Sequence, residues 1–410
     1  MILLLSLRTI IDIFEDNYVT TLLTRLTDGA TSKIAVYFIV KYGVTAVGAI
    51  FIGRYVKKYA LRVFRLGMIS TFLFFIAFIN MKLTIFSMLI AASLQGLALI
   101  MYYLPFAVIN ASVVKKSERH NYSAKNSIAG KILGMITPIT FGAIIAKTNY
   151  FTTGIVILSV IVLELVAASF IKNAKSEEHE RFEFAFFLKM FVKKDANKLF
   201  IVMMVCKGIS LMGAQRQLIN MLIFNQYGSE FQLGKIASLV SVSSIVLVAL
   251  FGKHATPKKY KSILGVTAGI QLITVIFLMV NTNTISIVLM RFAFDAVVGI
   301  IGLIAENYLY GLAVANAEYK TEYMVLTEVL SNAGRILSWV LAIIVSVIST
   351  QNSMSIPIAI SVINLAFMLM VIMLTKVLKK NDCVLEEWRL SGGRLFSGFR
   401  KELFRFLFYF

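Results

Sequence analysis

The sequence predicts an all-α membrane protein with twelve transmembrane helices, and three observations support this fold class. The chain has 410 residues, of which 59% are hydrophobic and only 15% charged, with a mean hydropathy of +0.82. A soluble domain of this length needs more polar surface to cover its core. The apolar residues also form continuous runs of about 20, the length of a helix that crosses a bilayer. Continuous runs, unlike alternating apolar residues, exclude a membrane β-barrel.

The first span begins at the N-terminus. Met1–Leu7 is apolar but has no basic residue before it and no small-residue cleavage site after it, so we do not interpret it as a signal peptide. Acidic residues then interrupt the apolar run, which predicts a polar span that stays in the protein. The twelve predicted spans are 1–24, 32–53, 66–81, 84–110, 126–147, 150–172, 198–224, 234–252, 263–280, 284–313, 323–348 and 354–376.

The formal charge of +20 reflects membrane topology. Its 41 basic and 21 acidic residues would suggest nucleic acid as a partner of a soluble protein. Here the basic residues concentrate in alternate loops, after predicted spans two, four and eight, and we expect no nucleic-acid partner. Basic loops face the cytoplasm. This pattern predicts an even number of spans, both termini in the cytoplasm, and a location in the cell membrane.

Few residues suit catalysis or metal binding. Cys206 and Cys383 are the only cysteines, and His120, His179 and His254 fall in separate predicted loops. No disulfide framework or metal-ligand spacing is present. We therefore expect no metal, no cofactor and no enzymatic activity.

A long charged loop divides the chain into two sets of six spans. Residues 1–172 form the predicted N-terminal half, 173–197 a cytoplasmic linker, 198–376 the C-terminal half, and 377–410 a cytoplasmic tail. The linker contains an aromatic stretch that predicts a short amphipathic helix on the inner membrane face. The tail alternates basic and apolar residues, which indicates either a second surface helix or a disordered basic end.

The two halves resemble each other in sequence. Arg8 and Lys207 are 199 residues apart, as are the pairs Gly53-Arg54 and Gly252-Lys253. Later, AGKIL at 129–133 recurs as AGRIL at 333–337. Internal repeats of this kind are typical of transporter folds, with the binding site between the halves.

This arrangement resembles the major facilitator superfamily, and the resemblance covers the chain to about residue 376. The superfamily has twelve spans in two halves, a charged central loop, and a signature loop after span two with a glycine, an acid four residues later, and basic residues. The corresponding sequence GRYVKKYALRVFR has the glycine and the basic residues, but a lysine replaces the acid, and GKHATPKKYK after span eight also lacks the acid. The resemblance therefore implies a cytoplasmic gate here, but its usual salt bridge cannot be assumed. Its candidate residues are Gly53, Arg54, Lys57, Lys58 and Arg62.

A second signature concerns the direction of transport. Many antiporters of the superfamily have a glycine-rich stretch around a Gly-Pro pair in span five, and GKILGMITPITFG at 130–142 keeps the proline and the final glycine. Small residues at this spacing also let helices pack closely in any bundle. The resemblance favours export over import.

Charged residues inside predicted spans are costly and are usually functional. Most of them lie on spans one, seven and ten, which line the central cavity in the superfamily. The spacing of those on span one places them on one helical face. They are Arg8, Asp12, Glu15 and Asp16 on span one, Lys41 on span two, Glu164 on span six, Lys207 and Arg216 on span seven, and Arg291, Asp295 and Glu306 on span ten.

Two interpretations of these charges remain open. In the first, they pair with one another and hold helices together, as Lys41 with Asp16 or Arg216 with Glu15. In the second, an acid carries a coupling proton, because several carboxylates on one face repel one another in a low-dielectric site and favour taking up a proton. The candidates for this role are Asp12, Glu15, Asp16 and Asp295.

We expect proton-coupled export of a small amphiphilic or drug-like compound by a monomer embedded in membrane lipid. The alternative is uptake or exchange of an organic anion bound by Arg216 and Arg291. We expect Glu164 to serve as a helix–helix hydrogen-bond partner, and Glu306 lies near a predicted inner end, where it could act in a gate. The candidate substrate-binding residues are Arg8, Lys41, Lys207, Arg216, Arg291 and Glu306.

Overall fold

The computed structural model describes most of the chain up to residue 380. For several stretches of the described chain, including 119–128, 246–254 and 306–315, it describes only the backbone. The tail from residue 381, including Cys383, and the first part of the linker up to residue 181 lie outside the described residues. Those described are 2–82, 84–113, 119–171, 182–193, 195–254, 259–315, 319–349 and 354–380.

All regular secondary structure in the described residues is helical. Eight of these helices are long and apolar enough to cross a membrane. In chain order the helices are α1 (Ile2–Phe14), a π-helical turn (Glu15–Val19), α2 (Thr20–Leu26), α3 (Thr31–Ile79), α4 (Ile85–Val113), α5 (Arg119–Lys147), α6 (Tyr150–Ser169), α7 (Phe184–Val192), α8 (Asp195–Ser210), α9 (Gln215–Tyr227), α10 (Glu230–His254), α11 (Tyr260–Val280), α12 (Thr284–Ala315), α13 (Lys320–Ile348) and α14 (Ser355–Lys380).

Helix α3 contains two predicted spans and the loop expected between them. Only Tyr59 leaves the helical conformation, with φ −132° and ψ 38°, and it marks a kink rather than a break. The intervening segment RYVKKYALRVFR is rich in Lys and Arg, which favour helix. Hydropathy correctly separates the two apolar segments, but it does not show that the segment between them is helical on both sides of the kink at Tyr59.

Two other predicted spans are interrupted. The first contains the π-helical turn between α1 and α2, and the seventh contains four non-helical residues between α8 and α9. π-Helical turns often occur at functional sites. Non-helical backbone at membrane depth is tolerated where it lies inside the protein or lines a cavity. Both interruptions therefore indicate that the functional site lies nearby.

Close packing joins the two predicted halves along two pairs of helices. Helix α3 packs against α13, and α5 packs against α10. In the second pair, a Cβ on Gly142 would lie 2.6 Å from the Glu230 carbonyl oxygen, and one on Gly234 would lie 2.5 Å from that of Pro138. Glycine is required at both positions because the backbones approach so closely. The glycine-rich stretch of the fifth predicted span is thus a contact surface between the halves.

The linker contributes one short helix. Helix α7 spans Phe184–Val192, inside the aromatic stretch of the linker. Its Phe187 and Phe191 are buried against α8 and α13, whereas Phe186 and Met190 are exposed. The helix is therefore amphipathic, with one face on the protein.

Candidate functional site

The acids of the first span point to different partners. Asp12 accepts a hydrogen bond from Tyr103, and its Oδ1 lies 2.9 Å from Arg8 Nε. Arg8 is buried; it also donates to Thr71 at 3.2 Å and lies 4.4 Å over the Tyr102 ring. The first acid is thus neutralised within the N-terminal half.

Glu15 has a neutral partner. Gln95 Nε2 donates to Glu15 Oε2 at 2.6 Å, and the Tyr37 hydroxyl donates to Gln95 Oε1 at 2.9 Å. The Arg8 guanidinium lies 3.9 Å from Glu15 Oε1, at the edge of ion-pair distance. Glu15 is therefore oriented mainly by a buried chain of amide and phenol groups.

Asp16 forms an ion pair that joins the two predicted halves. Arg216 Nη1 donates to Asp16 Oδ2 at 2.8 Å, and its Nη2 donates to Asp295 Oδ1 at 3.0 Å. The Asp16 side chain is 45% exposed, whereas Asp295 is 14% exposed. Arg216 thus holds one carboxylate from each half, and the N-terminal one is the more exposed.

Arg291 extends this network on the C-terminal half. Its Nε donates to Asp295 Oδ2 at 2.9 Å, and its other nitrogens bond to the side-chain oxygens of Asn220 and Asn17. Asn220 also donates to the backbone oxygen of Asp16 at 2.9 Å. These bonds connect the π-helical turn with α9 and α12.

A second ion pair joins the halves at the predicted cytoplasmic end. Lys57 Nζ lies 2.8 Å from Glu322 Oε1 of α13, and both side chains are almost fully buried. The same carboxylate oxygen accepts a bond from the Glu183 backbone N–H, just before α7. Gly53 packs against Val325 and Phe182, while Arg54, Lys58 and Arg62 are exposed. Among the predicted gate residues, Gly53 and Lys57 make the contact between halves.

A third ion pair lies at the opposite end and was not predicted from the sequence. Arg25 Nε and Nη2 donate to the two carboxylate oxygens of Glu230, at 2.6 and 2.8 Å. Tyr150 also donates to Glu230 at 3.0 Å. Arg25 and Glu230 lie at helix ends, where charges are common. Only the fold shows that they meet.

The remaining charged candidates lie apart from these pairs. Lys207 is buried in α8, and Lys41 is buried in α3 with its Nζ over two aromatic rings. The Glu306 side chain lies outside the described residues. Glu164 of α6 is fully buried, and the Tyr102 hydroxyl of α4 and the Arg8 guanidinium of α1 act on its carboxylate.

Comparison with known proteins identifies the family. The sequence model of the Major Facilitator Superfamily matches residues 26–339, which is more than half of the chain. The chain belongs to this superfamily. It is therefore a membrane transporter of a small-molecule substrate and not an enzyme. It is also 25% identical over 331 residues to the uncharacterized protein YqgE of Bacillus subtilis (strain 168), covering 76% of this chain and 74% of that protein.

The contact at the predicted gate departs from the superfamily signature. A lysine occupies the position where the signature has an acid, so the usual salt bridge could not be assumed from the sequence. The structure places Glu322, in the first turn of α13, opposite Lys57. An ion pair is therefore present here, with its basic residue on α3 and its acid on α13.

Proposed function

We propose that this superfamily member is a proton-coupled transporter that exports a small amphiphilic compound by alternating access. In this proposal twelve spans form two halves in the cell membrane, with both termini in the cytoplasm. The observation that carries the proposal is the Arg216 guanidinium, which binds Asp16 from one half and Asp295 from the other. A proton on either acid removes a charge that holds the halves together.

Asp16 is the best-placed proton acceptor. Its side chain is the more exposed of the two acids, so it is the easier of the two for a proton to reach when one end opens. The Asp12 carboxylate is held by both Arg8 and Tyr103 within one half, so its protonation does not break a contact between halves. Protonated Asp16 accepts a weaker bond from Arg216, because charge-assisted hydrogen bonds are about twice as strong as neutral ones. Proton binding to Asp16 therefore favours separation of the halves where Asp16 meets Arg216.

The glycine-rich stretch of α5 supports export. It resembles the antiporter signature of the superfamily, and its Gly142 packs tightly against α10 of the other half. The alternative, an organic anion bound by Arg216 and Arg291, has less support, because carboxylates and amides already bind both guanidinium groups.

Flux in proteoliposomes tests the proposal. Acidic, neutral and basic fluorescent amphiphiles would be tested with an imposed pH gradient, in the wild type, Asp16→Asn and Asp295→Asn. We expect gradient-driven flux of at least one dye in the wild type and loss of gradient dependence in both variants. Asp28→Asn is the matched control, because Asp28 is an exposed loop residue with φ 52°, which asparagine adopts readily.

Two results would contradict the proposal. One is wild-type flux that ignores the pH gradient for every dye. The other is full gradient dependence in Asp16→Asn, which would show that the proton acts elsewhere.

A further inference from the structure

Several buried polar groups without conventional partners lie between α3, α13 and the interruption before α9. Lys41 is one of them, with 7% exposure. Its Nζ lies 5.5 Å from the centre of the Phe38 ring and 5.4 Å from that of Tyr42. Among the described residues, no carboxylate lies within ion-pair distance of it. A buried cation in a membrane protein normally has an anionic partner.

The nearest acids are already bound by other groups. Glu15 and Asp16 act on Lys41 electrostatically. However, Glu15 accepts its hydrogen bond from Gln95, and Asp16 forms its ion pair with Arg216. Burial opposes the charge on Lys41, and the field of these two acids offsets part of this cost without giving its N–H donors an anionic acceptor.

Arg335 brings a second cation to the same place from the C-terminal half. Its guanidinium lies 5.1 Å from the centre of the Tyr42 ring, so both cations face one aromatic side chain. It donates to Asn332 Oδ1 at 3.0 Å, but its Nε is buried without a partner. Arg335 acts on Lys41 electrostatically, and like charges in a low dielectric repel each other. An anion bound by both cations would offset this cost.

The start of α9 adds further unpaired donors. The interruption before α9 lies against α13, because the Ala214 N–H donates to Ser338 Oγ at 2.8 Å. Helix α9 then begins at Gln215 without a side-chain cap. The Gln215 amide is buried, and neither its nitrogen nor its oxygen has a partner. The first N–H groups of a helix attract anions, and interrupted transporter helices bind anionic substrate groups in this way.

Aromatic side chains border these donors. Phe38 stacks on Trp339 across the two halves, with ring centres 4.6 Å apart and planes 3° apart. The indole Nε1 of Trp339 is buried without an acceptor. A ligand here would meet cations and amide groups on one side and aromatic rings on the other.

We propose that Lys41, Gln215 and Arg335 bind the acidic group of the transported compound, and that Phe38, Tyr42 and Trp339 contact its aromatic or apolar part. The inference rests on the proposed transport function and names its substrate class, an amphiphilic organic acid. It places the acid group on cations that have no carboxylate partner, rather than on Arg216 and Arg291.

Binding to the purified full-length protein tests the inference without a pH gradient. Thermal unfolding would be measured with benzoate, naphthoate and anthracenecarboxylate, each beside its uncharged amide. We expect the acids to raise the melting temperature more than the amides. Lys41→Gln and Arg335→Gln should each weaken binding of the acids about tenfold to a hundredfold. Neither substitution should destabilise the ligand-free protein, because each removes a cation without a carboxylate partner.

Lys235→Gln is the matched control, since Lys235 is an exposed cation on α10 that contacts only Phe231 among the described residues. It should keep the wild-type response. The inference is overturned if the amides stabilise as well as the acids, if no acid stabilises the wild type, or if both variants retain the effect. The assay is independent of proton coupling. A failure of acid binding would overturn this inference without affecting the proton-coupled transport tested by flux. A failure of the flux test would not affect the binding result.

Discussion

At the scale of single residues, each acid of the first span has its own partner. The cost of charges in a bilayer made these residues recognisable as functional candidates from the sequence. Their regular spacing predicted one shared face. A π-helical turn contains more residues than an α-helical turn, so the turn at Glu15–Val19 rotates the side chains from Glu15 onward relative to those before it. Asp12 and Asp16 therefore reach different partners, Arg8 and Arg216. A sequence pattern that assumes a regular helix does not contain this change of direction.

Glu164 is a buried acid with no cation within ion-pair distance among the described residues. The Arg8 guanidinium and the neutral Tyr102 hydroxyl act on its carboxylate, but a buried carboxylate without a paired charge is costly. We therefore expect Glu164→Gln to leave the melting temperature unchanged or to raise it, in thermal unfolding of the purified protein. The matched control is Glu230→Gln, which removes a buried acid that Arg25 and Tyr150 bind. It should cost about 1.5–3 kcal/mol of stability.

Equal losses of stability in the two variants would contradict this account of Glu164. They would show that its carboxylate has a bonding partner as strong as that of Glu230.

At the scale of helices, apolar segments were predictable and their continuity was not. Hydropathy reports which segments are apolar. It does not show that the charged segment inside α3 is helical on both sides of a kink at Tyr59, or that the backbone breaks between α8 and α9 within an apolar segment. The predicted gate also includes a contact that the sequence pattern does not report. Lys57 was recognisable as a departure from the superfamily signature, but its partner Glu322 is 265 residues away and is known only from the fold.

The Lys57–Glu322 pair gives a prediction at this scale. Lys57→Met leaves Glu322 buried with only the Glu183 N–H on its bonded oxygen. Removing one partner of a buried ion pair costs about 3–5 kcal/mol. We expect a corresponding fall in the melting temperature of Lys57→Met. The double variant Lys57→Glu with Glu322→Lys should recover part of the stability, because the pair can form with the opposite orientation.

The neighbouring Lys58→Met is the control, since Lys58 is exposed and contacts only the Tyr59 ring among the described residues. If the double variant is no more stable than either single charge reversal, the two residues do not act as a pair.

At the scale of the whole molecule, ion pairs join the predicted halves at three levels. Arg25–Glu230 lies at the predicted outer end, Asp16–Arg216–Asp295 between the ends, and Lys57–Glu322 at the predicted inner end. Within the described residues, each predicted end thus has an ion pair that joins the halves. The repeats in the sequence predicted two related halves, but a repeat describes each half separately and carries no information on which end is open.

Alternating access requires that the two end contacts break in turn. This is the central claim, and distances between spin labels measure it directly in lipid. Labels on Lys58 and Lys376 would report the inner end, and labels on Thr148 and Gln226 the outer end; all four residues are exposed. The native Cys206 and Cys383 would first be replaced by serine. Distances would be recorded in acidic and alkaline buffer, with and without benzoate.

We expect at least two populations whose proportions change with pH. In one the inner distance lengthens while the outer distance stays short, and in the other the outer distance lengthens while the inner distance stays short. Distances that lengthen together, or that do not respond to pH or ligand, would contradict the account.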